Sequence, residues 1–248
     1  MTAPIRRPAS NEAVMLWILH RFAEEFTRHA IIKGGMALRL AGCPRSTTDI
    51  DYVFVPYASK KEIAADIRRL LSELEGAEVE VRTHSKAVRA TIALDQARVQ
   101  VEASVAMECP ADAASTGDMA SALGEPARVV RVVRGSYALA QKLAAWNERR
   151  LYRDLFDVYY LRTRLGVELD RPALEKRLTR VETRRGKPQR RAMELEHFAR
   201  DLRTAAQELD QEALLAELQP ILPGSELAGL APRIRAALIG LAETLLNE

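Results

Sequence analysis

The chain has 248 residues, 48% hydrophobic and 29% charged, with a formal net charge of +3, so it can be one large domain or two modest ones with a real core. No apolar run approaches a membrane span, and the first nine residues carry two arginines and two prolines with no apolar stretch ahead of a cleavage site; the expectation is a cytoplasmic protein with no membrane partner. Cys43 and Cys109 are the only cysteines, with no Cys-x-x-Cys and no histidine at zinc-ligand spacing, which excludes a disulfide framework and a structural zinc and leaves two buried thiols.

Residues 11–28 predict a helix, because Val14, Ile18, Phe22 and Phe26 recur at four-residue spacing while Met15 and Leu19 widen the stripe. A short apolar strand over residues 30–32 then meets Gly34 and Gly35. Such a pair permits a tight turn and lets a phosphate approach the backbone. A short helix is expected over residues 36–41, stopped by Gly42 and Pro44. The chain re-enters as a strand carrying Asp49 and Asp51, which alternate onto one side. Two adjacent carboxylates repel each other unless a cation lies between them, and hard oxygen ligands of this kind suit a Mg²⁺ that also binds substrate phosphates.

These residues resemble the Gly-Gly-Ser, spacer, Asp-x-Asp signature of the polymerase-β-like nucleotidyltransferases. More narrowly, Lys33-Gly34-Gly35-Met36-Ala37-Leu38 with Asp49-Ile50-Asp51 is similar to the AbiEii/AbiGii toxin branch. The resemblance implies an α/β (α+β) fold with a mixed sheet and flanking helices, followed by a C-terminal helical domain. It also implies nucleotide contacts from Lys33, Gly34, Gly35 and Met36. Met36 departs from the serine or threonine of that signature, and a thioether offers a phosphate no hydroxyl hydrogen bond.

Further along, Ser59 and Glu62 form a capping box opening a helix that runs to Glu75, with Ile63, Ile67, Leu70, Leu71 and Leu74 on its buried side. Strands are expected over residues 78–82, 88–94 and 98–105, the last two joined by a hairpin at residues 95–97. In the last of them Val99, Val101, Ala103 and Val105 share one face, and Arg98, Gln100, Glu102 and Ser104 the other. The resemblance implies a third carboxylate on a strand beside the aspartate pair. Glu102 is the best placed, ahead of Glu80 and Asp95, so the metal set becomes Asp49, Asp51 and Glu102.

Residues 107–126, rich in Ala, Ser, Gly, Asp and Pro, read as a loop or linker, and a strand follows over residues 127–133. Beyond it the pattern is helical: residues 136–148, 151–165, 172–183, 189–218 and 226–246, with breaks near Gly166, Gly186 to Pro188 and Pro220 to Gly224. The boundary is drawn at a nucleotidyltransferase domain over residues 1–134 and a helical domain over residues 135–248. The run from Lys142 to Leu161 also resembles the AbiEii family, with Lys142, Arg149 or Arg150, and Arg153-Asp154-x-x-Asp157 at matching positions. That resemblance implies catalytic roles for Lys142 and Asp154, and nucleotide binding by Lys142, Arg153 and Asp157. A lysine reaches phosphates as a point charge, and an aspartate on a facing helix can orient it.

Residues 171–191 hold nine lysines and arginines against two glutamates, a block that can attract nucleic-acid phosphates. The function implied is Mg²⁺-dependent transfer of a nucleoside monophosphate from an NTP to an acceptor hydroxyl. The setting implied is a toxin of a toxin–antitoxin or phage-defence system, with RNA, specifically tRNA, as acceptor and a cognate antitoxin as partner. Two alternatives stay open: the same chemistry on a small molecule such as an antibiotic, and a non-enzymatic nucleotide-binding module, which Met36 favours.

Overall fold

The computed structural model describes residues 8–184 and 187–247, with the side chains of residues 180–190 outside the description. It divides into two compact units, Met1–Val133 and Arg134–Glu248.

The first unit opens with α1 (Asn11–Phe26), started by the Ser10 hydroxyl accepting from the Ala13 amide at 3.2 Å. β1 (Ala30–Lys33), α2 (Gly34–Leu40) and β2 (Asp49–Phe54) follow, and then α3 (Lys61–Leu71). Half of the capping box ahead of α3 forms: the Glu62 carboxylate accepts from the Ser59 amide at 2.6 Å, while the Ser59 hydroxyl accepts from the Lys61 amide at 3.3 Å. β3 (Glu78–Thr83), β4 (Val88–Leu94) and β5 (Ala97–Val105) form an antiparallel meander, followed by β6 (Ala111–Ser115), α4 (Gly117–Leu123) and β7 (Val129–Val133).

Seven strands make one mixed sheet in the order β3-β4-β5-β2-β1-β7-β6, with β2 parallel to β5 and antiparallel to β1. One face is apolar. Ile50, Tyr52 and Phe54 of β2, Val99, Val101 and Ala103 of β5, and Val88, Ala90 and Ile92 of β4 are buried there with the stripes of α1 and α3. Phe22 and Tyr52 have ring centroids 5.0 Å apart, and Phe26 meets Phe54 edge-on at 4.8 Å. Because side chains alternate along a strand, burying this face turns Asp49, Asp51, Gln100, Glu102 and Arg89 to the other one.

The segment expected to be a linker, residues 107–126, contains β6 and α4 instead. β6 is built of small residues and lacks apolar alternation; its register against β7, Asp112 opposite Val132 and Ala114 opposite Val130, makes it a strand.

The second unit holds α5 (Gly135–Arg149), α6 (Tyr152–Tyr159) continued by a wider π-helical turn (Tyr160–Arg164), and α7 (Arg171–Arg177). Two strands then pair antiparallel, β8 (Thr179–Arg184) and β9 (Lys187–Ala192), and α8 (Leu195–Gln207), α9 (Gln211–Leu218), α10 (Gly224–Leu227) and α11 (Leu230–Asn247) follow. The helices expected over residues 172–183 and 189–218 are therefore corrected. Thr179, Val181 and Thr183 alternate with Arg180, Glu182 and Arg184, a period of two that favours a strand. Asp210 begins a new helix by accepting from the Glu212 and Ala213 amides, which splits α8 from α9. Among the described residues no helix is long and apolar enough to cross a membrane.

Candidate active site

β1 ends at Lys33, and Gly34 turns the chain with a φ of +69°, in the left-handed region that glycine enters freely. The second reason for glycine here is contact. A Cβ on Gly34 would lie 2.3 Å from Asp51 Oδ2, so the Asp51 carboxylate rests directly over the bare Cα of the turn. Gly35 is covered from another direction: a Cβ there would lie 2.6 Å from Arg45 Nη2 and 3.2 Å from Thr47 Oγ1. The loop from α2 to β2 thus folds back over Gly35. Thr47 also anchors the start of β2, its hydroxyl donating to the Asp49 carbonyl at 3.1 Å and accepting from the Asp49 amide at 3.3 Å.

Strand register sets one charged row across the sheet. Lys33 stands opposite Asp51, Asp51 beside Glu102, and Glu102 opposite Arg89. Asp49, two residues before Asp51, is exposed on the same side. Glu102 is engaged: its Oε2 accepts from Arg89 Nη2 at 2.8 Å. The Glu102 carboxylate holds the Arg89 guanidinium more firmly protonated than usual, and the charge of Asp49 adds to the effect.

Among the described residues no three carboxylate, imidazole or thiol groups converge as a metal-binding set, so Asp49, Asp51 and Glu102 are not gathered around one point. Adjacent carboxylates repel one another, and Glu102 is paired with the Arg89 guanidinium. The donor chemistry of Asp49 and Asp51 nonetheless fits Mg²⁺, which takes one or two carboxylates and completes its shell with water and substrate phosphates.

The remaining candidates of this unit separate by burial. Met36 is fully buried in the core cluster that includes Ile32 and Ile50, so its side chain packs inward and its backbone is what the turn presents. Glu80 lies on the edge strand β3 and pairs with Arg82 at 2.5 Å, while Asp95 sits in the β4–β5 turn with a φ of +53°. Cys43 is buried, whereas Cys109 is only half-buried; burial pushes its thiol up, opposed by the charge of Lys33. His20 shares a hydrogen bond with the Thr116 hydroxyl at 3.0 Å.

In the second unit, α5 and α6 bring together Lys142, Arg149, Asp154 and Asp157. Asp154 and Asp157 lie three residues apart on α6 and both are completely buried. Lys142 Nζ sits 2.5 Å from Asp157 Oδ2 and 3.8 Å from Asp154 Oδ1. Arg149 grips Asp154 with two parallel hydrogen bonds, Nε at 2.6 Å and Nη2 at 2.7 Å. Asp157 is thus the nearer partner of the lysine, and Asp154 divides its carboxylate between Lys142 and Arg149. Arg150 stacks instead on the Trp146 ring at 4.3 Å, and Arg153 is exposed, its amide donating to Glu217 at 2.9 Å. Within the basic block, Arg185 and the side chains of residues 180–190 lie outside the described residues.

The glycine turn carries the Asp51 carboxylate, and Asp49 lies on the same face of the sheet. The family comparison gives the class: the chain is a nucleotidyltransferase. The family described as "Nucleotidyl transferase AbiEii toxin, Type IV TA system" matches residues 17–239, nearly the whole chain. The protein belongs to the AbiEii toxin family. Comparison with curated proteins finds no match. Among solved structures, the Bradyrhizobium diazoefficiens CD-NTase CdnG in complex with GTP is similar at 15% identity and a TM-score of 0.30, covering 94% of this chain and 73% of that one.

Proposed function

We propose that this enzyme transfers a nucleoside monophosphate from an NTP to a hydroxyl of RNA, with tRNA as the acceptor, and that Mg²⁺ assists. The observation that carries the reading is the Asp51 carboxylate seated over Gly34, with Asp49 on the same face of the sheet. In the reaction the acceptor oxygen attacks the α-phosphorus, the bond to the β-phosphate oxygen breaks, pyrophosphate leaves, and the hydroxyl proton passes to a carboxylate. Mg²⁺ held by Asp49 and Asp51 would supply charge stabilisation to the phosphates.

The chain's own groups do the positioning. The two glycines let the Asp51 carboxylate and the Arg45 side chain close directly on the turn, with Lys33 at its edge. Arg45, folded over Gly35, adds a planar donor suited to phosphate. In the second unit, Lys142 has a side chain 14% exposed, and an ammonium fixed by a buried carboxylate is a preset point charge for a phosphate. Asp157 holds that ammonium, and Arg153, exposed at the start of α6, is a further cation for the nucleotide. The composition of residues 171–191 supports an RNA acceptor, since phosphate contacts are independent of sequence. Family membership supports a cognate antitoxin as the protein partner.

The test offers the protein purified tRNA, other cellular RNAs and aminoglycosides as competing acceptors, with labelled NTP and Mg²⁺. Label should enter tRNA, and both Asp49→Ala and Asp51→Ala should lose it while keeping a native circular dichroism spectrum. Label entering an aminoglycoside but no RNA would refute the acceptor, and active aspartate variants would refute the metal pair.

A further inference from the structure

The charged row contains an unusual neighbour for a metal-binding carboxylate. Glu102 has Asp51 on one side and Arg89 on the other, and it is Arg89 that it touches. Two carboxylates side by side on adjacent parallel strands destabilise each other, and strand register places a cationic residue at each end of the pair, Lys33 and Arg89. A guanidinium keeps its charge at any accessible pH, so Arg89 never releases Glu102 by losing a proton. It can release it by exchange. The pair is open to water, with side-chain exposures of 47% for Arg89 and 33% for Glu102, and exposed ion pairs hold weakly.

We propose that Arg89 is a positioning residue for Glu102: it is the tethered counter-cation of the acidic row, and a divalent cation must displace it to recruit the third carboxylate. This rests on the metal reading of Asp49 and Asp51. In this arrangement the Arg89 guanidinium holds the Glu102 carboxylate that stands beside Asp51. That hold gives Arg89 a role in setting how much divalent cation the site requires.

The test is calorimetric titration of Mn²⁺ alone into the full-length protein, with neither nucleotide nor RNA present. Removing the competitor in Arg89→Ala should tighten Mn²⁺ binding about two- to fivefold, the worth of one exposed ion pair. Arg89→Lys, which keeps a cation on β4, should stay near the wild type. In a Glu102→Gln background the same Arg89→Ala change should gain less than half as much, because the carboxylate in dispute is gone. Unchanged or weaker Mn²⁺ binding by a folded Arg89→Ala variant, against clear binding by the wild type, would overturn the role of Arg89 and leave the metal reading standing. No Mn²⁺ binding by the wild type would overturn both.

Discussion

Gly34→Ala separates the two reasons for a glycine at the turn, and Gly124 supplies the control. Both residues have a φ of +69°, but a Cβ on Gly124 meets nothing within 4 Å, whereas on Gly34 it lies 2.3 Å from Asp51 Oδ2 and 3.2 Å from Asp51 Cγ. The backbone cost is shared: an alanine in the left-handed region costs roughly 1–2 kcal/mol, so each variant should melt a few degrees lower. The contact cost belongs to Gly34 alone. Asp51 is short, so its whole carboxyl group must retreat by about an ångström to reach van der Waals distance. A displacement of that size in a positioning group costs about a hundredfold in rate. Label transfer from NTP should therefore fall about a hundredfold or more in Gly34→Ala and stay near the wild type in Gly124→Ala, with urea unfolding of both as the check on stability. Equal activity of the two variants would refute the assignment of Asp51 to the site.

Met36→Ser should destabilise the protein by about 2–5 kcal/mol in urea titrations, because it empties a fully buried position; tighter NTP binding with undiminished stability would put this residue at the phosphate instead. Lys142→Ala should cost about 3–5 kcal/mol, since it deprives the buried Asp157 carboxylate of its ammonium, while the paired change Lys142→Met with Asp157→Leu should recover much of the stability and none of the transfer. Recovered transfer in that double variant would make the network structural only. Burial holds the His20 imidazole down at about 4 against an ordinary 6.5, so the unfolded chain takes up its proton first. Stability from this residue should be complete above pH 6.5 and decline as pH falls toward 4; a His20→Gln variant with the same slope over that window would show that other groups set it.

The turn, the aspartate strand and the helix before them were legible because each has a local signal: an apolar four-residue period in α1, paired glycines, and Asp-x-Asp in an apolar strand. The resemblance carried by residues 33–51 and 142–161 is confirmed by a family match that extends over residues 17–239 and takes in most of the C-terminal helices. What stayed hidden depends on pairing between distant segments. Arg89 is an unremarkable strand residue until the β4–β5 register sets it against Glu102, and Arg45 gains meaning only when its loop returns over Gly35. The burial of Met36 was hidden for the same reason, since a motif position does not reveal which way a side chain points. β8 and β9 were missed because dense lysine and arginine suggested solvated helix where the alternation of Thr179, Val181 and Thr183 signalled strand.

The measurement that bears most directly on the central claim follows two labels through one reaction. The wild-type protein is incubated with Mg²⁺, total RNA and each NTP in turn, labelled either at the α- or at the γ-phosphate. Nucleotidyl transfer predicts that the α-label enters RNA and that the γ-label leaves as pyrophosphate. The γ-label in RNA would mean phosphoryl transfer by a kinase-like reaction, and the absence of either label from RNA, with every NTP intact, would contradict the account.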